Sequence, residues 1–141
     1  MSILHNVRFR AYCHATEVQS RVESAMRFIS GARELEHENL KGHHGNPLVK
    51  ISAFLKRRKD LDIFLDKMAE AGVLQEILGT LDRSVDEKGS LHMRFSKQAA
   101  YEGRIEMTER DDAISVRAKV RAYPATKEEA IRLLKERLQQ E

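Results

Sequence analysis

The side chains best suited to chemistry in this sequence are basic and aromatic, and they occupy alternate positions in two separate segments. They are Arg8, Arg10 and Tyr12 in the first segment and Arg117, Lys119, Arg121 and Tyr123 in the second. Guanidinium and ammonium groups neutralise phosphates, and exposed aromatic rings offer stacking surfaces to unpaired bases. Because alternate residues of a strand share one face, each segment predicts an RNA-binding stripe on one side of a sheet.

Other segments extend this pattern less regularly. Their outward positions are Lys50, Phe54, His92, Arg94 and Arg104, and the clearest acid among them is Glu106. A polar face that only contacts water explains the same pattern, and so does a surface where two copies of the chain associate as a homodimer. The sequence does not reveal strand order, so it leaves open whether the two basic segments are neighbours.

Two histidines flanked by glycine, His43 and His44, form a second group that could do chemistry. The run 42–47 reads Gly-His-His-Gly-Asn-Pro, a composition typical of a loop. Together with Asn46, the histidines could hydrogen-bond ribose or phosphate, and we expect this binding role. Histidine also acts as a general acid or base near neutral pH, so a metal-independent ribonuclease that uses His43 and His44 is the alternative.

The sequence predicts no metal, no cofactor and no catalytic residue. Cys13 and His14 are adjacent on the first predicted strand, so their side chains point to opposite faces and do not suit one zinc site. No phosphate-binding P-loop, dinucleotide fingerprint or serine nucleophile motif occurs in the sequence. We therefore expect a binding protein rather than an enzyme.

The elements that must position these residues follow from the hydrophobic pattern. Strict alternation predicts half-buried strands at 4–13, 48–55 and 113–123. Weaker patterns predict strands at 33–40, 81–85, 91–95 and 104–108. The weak strand at 33–40 has glutamates at three alternate positions on one side, which are Glu34, Glu36 and Glu38.

Helices are expected where apolar residues recur at helical spacing. Capping boxes at 16–19 and 126–129 predict two helix starts. Between them, a helix follows the basic run 56–59, a break is expected at Gly72, and one helical turn is expected at 97–101. The predicted fold class is α+β: a two-layer sandwich with a largely antiparallel sheet and helices packed on one face.

The composition sets the remaining limits. A chain of 141 residues with 41% hydrophobic residues can bury a core, and we expect one domain spanning 1–141. The 25 basic and 22 acidic residues nearly cancel, so the placement of charge supports RNA more than its total does. No apolar run of about 18 residues occurs, so no membrane span is expected. A single cysteine suits the reducing cytoplasm, which is the expected location.

Several stretches together resemble a family of small archaeal proteins described as RNA-binding and as predicted exosome-associated subunits. The loop 42–47 is the most specific of these stretches, and the others are 5–10, 14–17, 96–103 and 121–124. The resemblance covers nearly the whole chain. The matching motif positions are Arg8, Arg10, His14, His43, His44, Asn46, Lys97, Gln98 and Tyr101.

This resemblance implies a two-layer fold similar to that of the ribosomal protein that binds 5S RNA in the large subunit. It also implies an accessory role in RNA processing or degradation, in association with the exosome and without catalysis by the chain itself. A structural adaptor or dimerisation module within a larger complex is a further alternative.

Overall fold

A computed structural model of the chain describes residues 3–42 and 45–138. These residues form an antiparallel sheet and helices that pack on it, so the α+β class predicted from the sequence is confirmed. In chain order they are β1 (Leu4–His14), α1 (Gln19–Ser30), β2 (Glu36–Lys41), β3 (Pro47–Leu55), α2 (Arg58–Glu70), α3 (Val73–Leu78), α4 (Leu81–Ser84), β4 (Ser90–Phe95), α5 (Lys97–Tyr101), β5 (Ile114–Val120) and α6 (Lys127–Leu138). None of the helices in these ranges is long and apolar enough to cross a bilayer.

Five strands of the described chain form one antiparallel sheet in the order β2-β3-β1-β5-β4. The strands that carry the two predicted basic stripes, β1 and β5, are therefore hydrogen-bonded neighbours. The edges of the sheet are β2 and β4. In the antiparallel β2–β3 pair, Glu36 lies opposite Ser52 and Glu38 lies opposite Lys50.

The core lies on one face of the sheet, where β1, β3, β4 and β5 bury apolar side chains and the helices pack. On β1, Val7, Phe9 and Ala11 are at most 1% exposed, whereas the intervening Arg8 and Arg10 are exposed. The same alternation holds on β5, where every second residue is buried. Burying these side chains is the main favourable contribution to folding, at roughly 25 cal/mol for each Å² of apolar surface removed from water.

Contacts between residues divide the chain into two compact units. The first contains Met1–Val7, Leu55–Met93 and Val116–Glu141, and within it α3 packs against α2 and α6. The second contains Arg8–Phe54 and Arg94–Ser115, and within it α1 packs against α5. The expectation of a single domain stays a prediction.

Helix α1 begins later than its predicted capping box. Its N-cap is Val18, which makes no side-chain cap, so the expectation that Thr16 caps this helix is wrong. The carboxylate of Glu17 instead accepts a hydrogen bond from the backbone N–H of His14 at 3.0 Å. The connection from β1 to α1 is therefore stabilised by a turn that precedes the helix.

The predicted strand at 81–85 is wrong, because most of this segment forms the short helix α4. Leu81 and Val85 are both buried, and the backbone N–H of Val85 donates to the carbonyl of Leu81. A spacing of four residues puts both side chains on the same helical face. Short apolar segments of this kind fit a helix and a strand equally well.

The segment 104–108 forms no regular strand, contrary to expectation. A single bridge joins Met107 to Phe95. The backbone N–H of Arg104 donates to the carbonyl of Ala99 in α5 at 2.8 Å, which takes the start of the segment out of the ladder.

The predicted strand at 113–123 is shorter than expected, because β5 ends at Val120. The backbone N–H of Arg121 donates to the carbonyl of Ile3 at 2.7 Å, and that of Ala122 turns back to the carbonyl of Val120. Arg121 and Tyr123 therefore lie beyond the strand, where alternation no longer decides which way a side chain points.

The predicted turn before β4 packs closely against the first unit's last helix. One carboxylate oxygen of Asp86 accepts from the backbone N–H groups of Lys88 and Ser90, at 3.0 and 2.9 Å. Gly89 has a φ of +84°, and its carbonyl accepts from the N–H of Val120. A Cβ atom at Gly89 would lie 3.3 Å from the carbonyl oxygen of Thr126.

Replacing Gly89 with alanine should lower the free energy of unfolding more than replacing Gly103 does. Both positions have left-handed backbone, which costs an alanine roughly 1–2 kcal/mol. Only Gly89 adds the contact with the backbone of Thr126, since a Cβ at Gly103 meets no described atom within 4 Å. Urea unfolding measures both variants, and equal losses would contradict the close approach at Gly89.

Candidate nucleic-acid interface

The open face of the second unit carries the first predicted basic stripe. Arg8 and Arg10 are exposed on β1, and Tyr12 is half-buried beside them. These residues share one face because the strand alternates, and the opposite side of β1 is buried in the core. The structure thus brings together the three residues that the sequence placed on this stripe.

Each of the two arginines lies over an aromatic ring. The guanidinium carbon of Arg8 is 4.5 Å from the centre of the Phe54 ring on the neighbouring strand β3. That of Arg10 is 5.6 Å from the ring of Tyr12. A cation over an aromatic face is attracted by the ring quadrupole, so these contacts hold the planar guanidinium groups while their N–H donors stay available.

Phe54 was not among the RNA-binding residues predicted from the sequence. Alternation along β3 did assign its side chain to the outward face, and 43% of the residue is exposed. The missing information was strand order, since only the adjacency of β3 and β1 brings Phe54 to Arg8.

Within the described ranges, no acid compensates the charges of Arg8 and Arg10. No ion pair joins either guanidinium to a carboxylate among the described residues. Arg94, by contrast, contacts Asp111 at 3.3 Å. Arg104 contacts two acids, Glu106 at 3.2 Å and Glu102 at 2.7 Å, and these hydrogen bonds raise its pKa. The two β1 arginines are therefore better placed to meet phosphate.

The predicted residues on and after β5 belong to the first unit, and they differ in exposure and in hydrogen bonding. Arg117 is exposed on the strand, and Tyr123 is 81% exposed beyond it. The ammonium group of Lys119 donates to the backbone carbonyl of Lys88. Arg121 is half-buried, and its Nε has no hydrogen-bond partner in the described part of the chain. Arg117 and Tyr123 are thus the accessible members of this stripe.

The glycine-flanked loop connects β2 to β3. Its histidines, His43 and His44, lie outside the described residues, so their predicted roles stay predictions. The backbone carbonyl of Asn46 accepts from the N–H of Gly42 at 2.6 Å, which closes the loop. The side chain of Asn46 is exposed, and its predicted contact with RNA stays a prediction as well.

A lysine that the sequence did not single out as an RNA-binding residue organises the end of β1. The ammonium group of Lys97, on α5, donates to the carbonyl of Tyr12 at 2.8 Å. It also donates to the carboxylates of Glu17 and Asp112, each at 2.9 Å. The side chain of Lys97 is only 11% exposed. In the sequence, only its position in the family motif pointed to a special role for Lys97, because its partners lie far apart in the chain.

The acids around Lys97 also approach a histidine. His14 Nε2 lies 3.4 Å from Asp112 Oδ1, and ligand atoms of His14, Glu17 and Asp112 lie within 4.8 Å of one another. Burial alone raises the pKa of Asp112, but the hydrogen bond and charge of Lys97, helped by His14, hold it below its ordinary value. The ammonium of Lys97 supplies a positive charge between the two carboxylates, and together these groups form the Lys97 salt-bridge network.

A comparison with known proteins decides the family of this chain. A family model described as RNA binding matches residues 6–120. The chain belongs to this RNA-binding family. The archaeal RNA-binding family that the sequence resembles is thereby confirmed.

Relatives of this RNA-binding family are similar to the chain over nearly its whole length. RNA-binding protein PAB1135 of Pyrococcus abyssi is 32% identical over 148 residues, covering 97% of this chain and 95% of the relative. Among solved structures, the DUF54 protein Mth689 of Methanothermobacter thermautotrophicus is 33% identical, with a TM-score of 0.84 over 97% of this chain and 99% of that one. Protein AF2318 of Archaeoglobus fulgidus is 31% identical, with a TM-score of 0.84 over 94% and 98%.

Replacing Lys97 with methionine should lower the free energy of unfolding by about 1–3 kcal/mol near pH 7, because the Tyr12 carbonyl and two carboxylates lose their donor. The loss should shrink as the pH falls below about 4. Lys97 holds the folded-state pKa of Asp112 below its unfolded value, so this contribution is present above the unfolded pKa and disappears once Asp112 is protonated.

Urea unfolding between about pH 2 and pH 7 measures this difference. The matched control is Lys56→Met, which removes an exposed lysine from the start of the basic run and should change stability little. A Lys97→Met variant as stable as the control at neutral pH would contradict the structural role of the network.

Proposed function

We propose that the chain binds RNA through the open face that β1 and β3 form in the second unit. The observation that carries this proposal is a pair of arginines held over aromatic rings, Arg8 over Phe54 and Arg10 over Tyr12, without an acidic partner in the described part of the chain. Membership of the RNA-binding family supports it independently, because the family model was matched on the sequence and not on this geometry.

The chemistry of this face suits RNA in two ways. The planar, multiply donating guanidinium groups match phosphate oxygens. Bases stack on aromatic rings and on arginine planes alike. Arg8 with Phe54, and Arg10 with Tyr12, therefore each provide a phosphate contact beside a stacking surface.

Other residues predicted from the sequence would add contacts with RNA outside this face. In the first unit, Arg117 can reach phosphate and Tyr123 can stack on a base, since both are exposed. At the loop between β2 and β3, His43, His44 and Asn46 would supply hydrogen bonds to ribose or phosphate. These contacts are secondary to those of the β1–β3 face.

We further propose that the chain is an accessory factor in RNA processing or degradation in the cytoplasm, associated with the exosome and without catalysis of its own. The family resemblance supports the accessory role. The β1–β3 face offers phosphate contacts through its arginines and stacking surfaces through its rings, which supports a role in holding RNA.

Replacing Arg8 and Arg10 with alanine should weaken RNA binding and reduce its dependence on salt. Each phosphate contact contributes about 0.7 to 0.9 to the slope of log K against log salt concentration. Losing two contacts should therefore make the slope about 1.5 less steep. Fluorescence anisotropy with a labelled RNA hairpin that carries an unpaired tail, repeated over a salt series, measures this change.

The matched control for that experiment is Arg33→Ala with Arg83→Ala. It removes the same charge from exposed arginines outside the sheet and should leave most of the slope unchanged. If wild type binds no RNA at low salt, or if both double variants lose the same slope, the proposed face is rejected.

The accessory role predicts that the chain alone leaves RNA intact and changes the rate at which an archaeal exosome degrades it. The Arg8→Ala, Arg10→Ala variant should lose that effect. End-labelled RNA, incubated with the chain, the exosome or both and resolved on a denaturing gel, measures cleavage and rate together. Fragments made by the chain alone, and absent with a His43→Ala, His44→Ala variant, would instead identify the ribonuclease alternative.

A further inference from the structure

The open face of the second unit has an acidic border on β2. Ile51, Ala53 and Leu55 are buried on β3, so the alternate residues Lys50 and Ser52 point outward like Phe54. Glu36 and Glu38 lie directly opposite them, and residues directly opposite in a strand pair share a face. Both glutamates are exposed.

The side chain between the two glutamates supports this orientation. The Nε2 atom of His37 lies 2.6 Å from a carboxylate oxygen of Glu23 in α1, on the side of the sheet that the helix covers. Since successive side chains point to opposite faces, Glu36 and Glu38 must point to the open side.

Charge therefore changes sign across three neighbouring strands. Arg8 and Arg10 make β1 positive, Phe54 and Lys50 lie on β3, and Glu36 and Glu38 make the edge strand β2 negative, with Lys50 directly opposite Glu38. Neighbouring strands are about 4.8 Å apart, so roughly 10 Å separates the positive strand from the negative one. One phosphate backbone fits along β1, and a second backbone displaced towards β2 would meet carboxylates.

An unpaired RNA strand fits this distribution of charge better than a duplex does. Its phosphates can follow β1 while its bases stack on the Arg8–Phe54 pair, and carboxylates accept hydrogen bonds from the amino groups of bases. In a duplex the bases are already paired and stacked on one another, and the second row of phosphates faces Glu36 and Glu38.

We propose that this face selects unpaired RNA over duplex RNA, with Glu36 and Glu38 as the border that excludes a second phosphate backbone. This inference rests on the proposed function and specifies its substrate class. The competing explanation is that charges on the edge strand β2 only prevent edge-to-edge association between copies of the chain.

The test compares wild type with a Glu36→Gln, Glu38→Gln variant on two RNAs of equal length, one unpaired and one a blunt-ended duplex. Wild type should bind the unpaired RNA at least tenfold more tightly. The variant should bind the duplex about fivefold more tightly than wild type does, as expected for removing two exposed like charges, with a smaller gain for the unpaired RNA. Selectivity should therefore fall.

The matched control is Glu70→Gln with Glu76→Gln, which makes the same charge change at exposed positions on α2 and α3. It should preserve the ratio of the two affinities. Circular dichroism and light scattering on the same samples measure folding and association.

The inference is overturned if wild type binds both RNAs equally, which would leave the proposed function standing. Equal gains for both RNAs in the variant and the control would overturn it too, because net charge alone would then explain the effect. So would self-association of the variant with unchanged selectivity. If wild type binds neither RNA, the proposed function fails and the inference fails with it.

Discussion

The two-residue period of β1 is the constraint on which the open face depends. Val7 and Phe9 are almost completely buried, so the residues between and after them must point to solvent. A slip of one residue would move arginines into the core, where an unpaired charge is far too costly to bury. The same packing that stabilises the sheet therefore fixes which side chains the protein presents to a nucleic acid.

The salt-bridge network of Lys97 holds the end of that strand. Its donor and the Tyr12 carbonyl are 85 positions apart in the chain, so the network joins segments that no local interaction could connect. Because Lys97 bonds to the backbone of Tyr12, it leaves the ring of Tyr12 on the open face. Lys97 thus stabilises the fold and also fixes the end of β1 on the open face, without itself contacting RNA.

Local patterns predicted much of this structure, and long-range contacts account for most of what they missed. Alternation identified β1 and its outward stripe, and glycine marked the end of α1 at Gly31. The segment 81–85 was too short for periodicity to separate helix from strand. The contact between Arg8 and Phe54 depends on strand order, and the early end of β5 depends on a hydrogen bond to Ile3, neither of which a local pattern encodes.

The buried cysteine near the end of β1 has a consequence for experiment. Burial, followed by the nearby charge of Glu17, raises the pKa of the Cys13 thiol, and only 4% of the residue is exposed. Thiolate is the reactive form, so alkylating reagents should meet an inert sulfhydryl in the native protein. Since the sequence has one cysteine, its rate of alkylation would report how often this part of the sheet opens, without any engineered label.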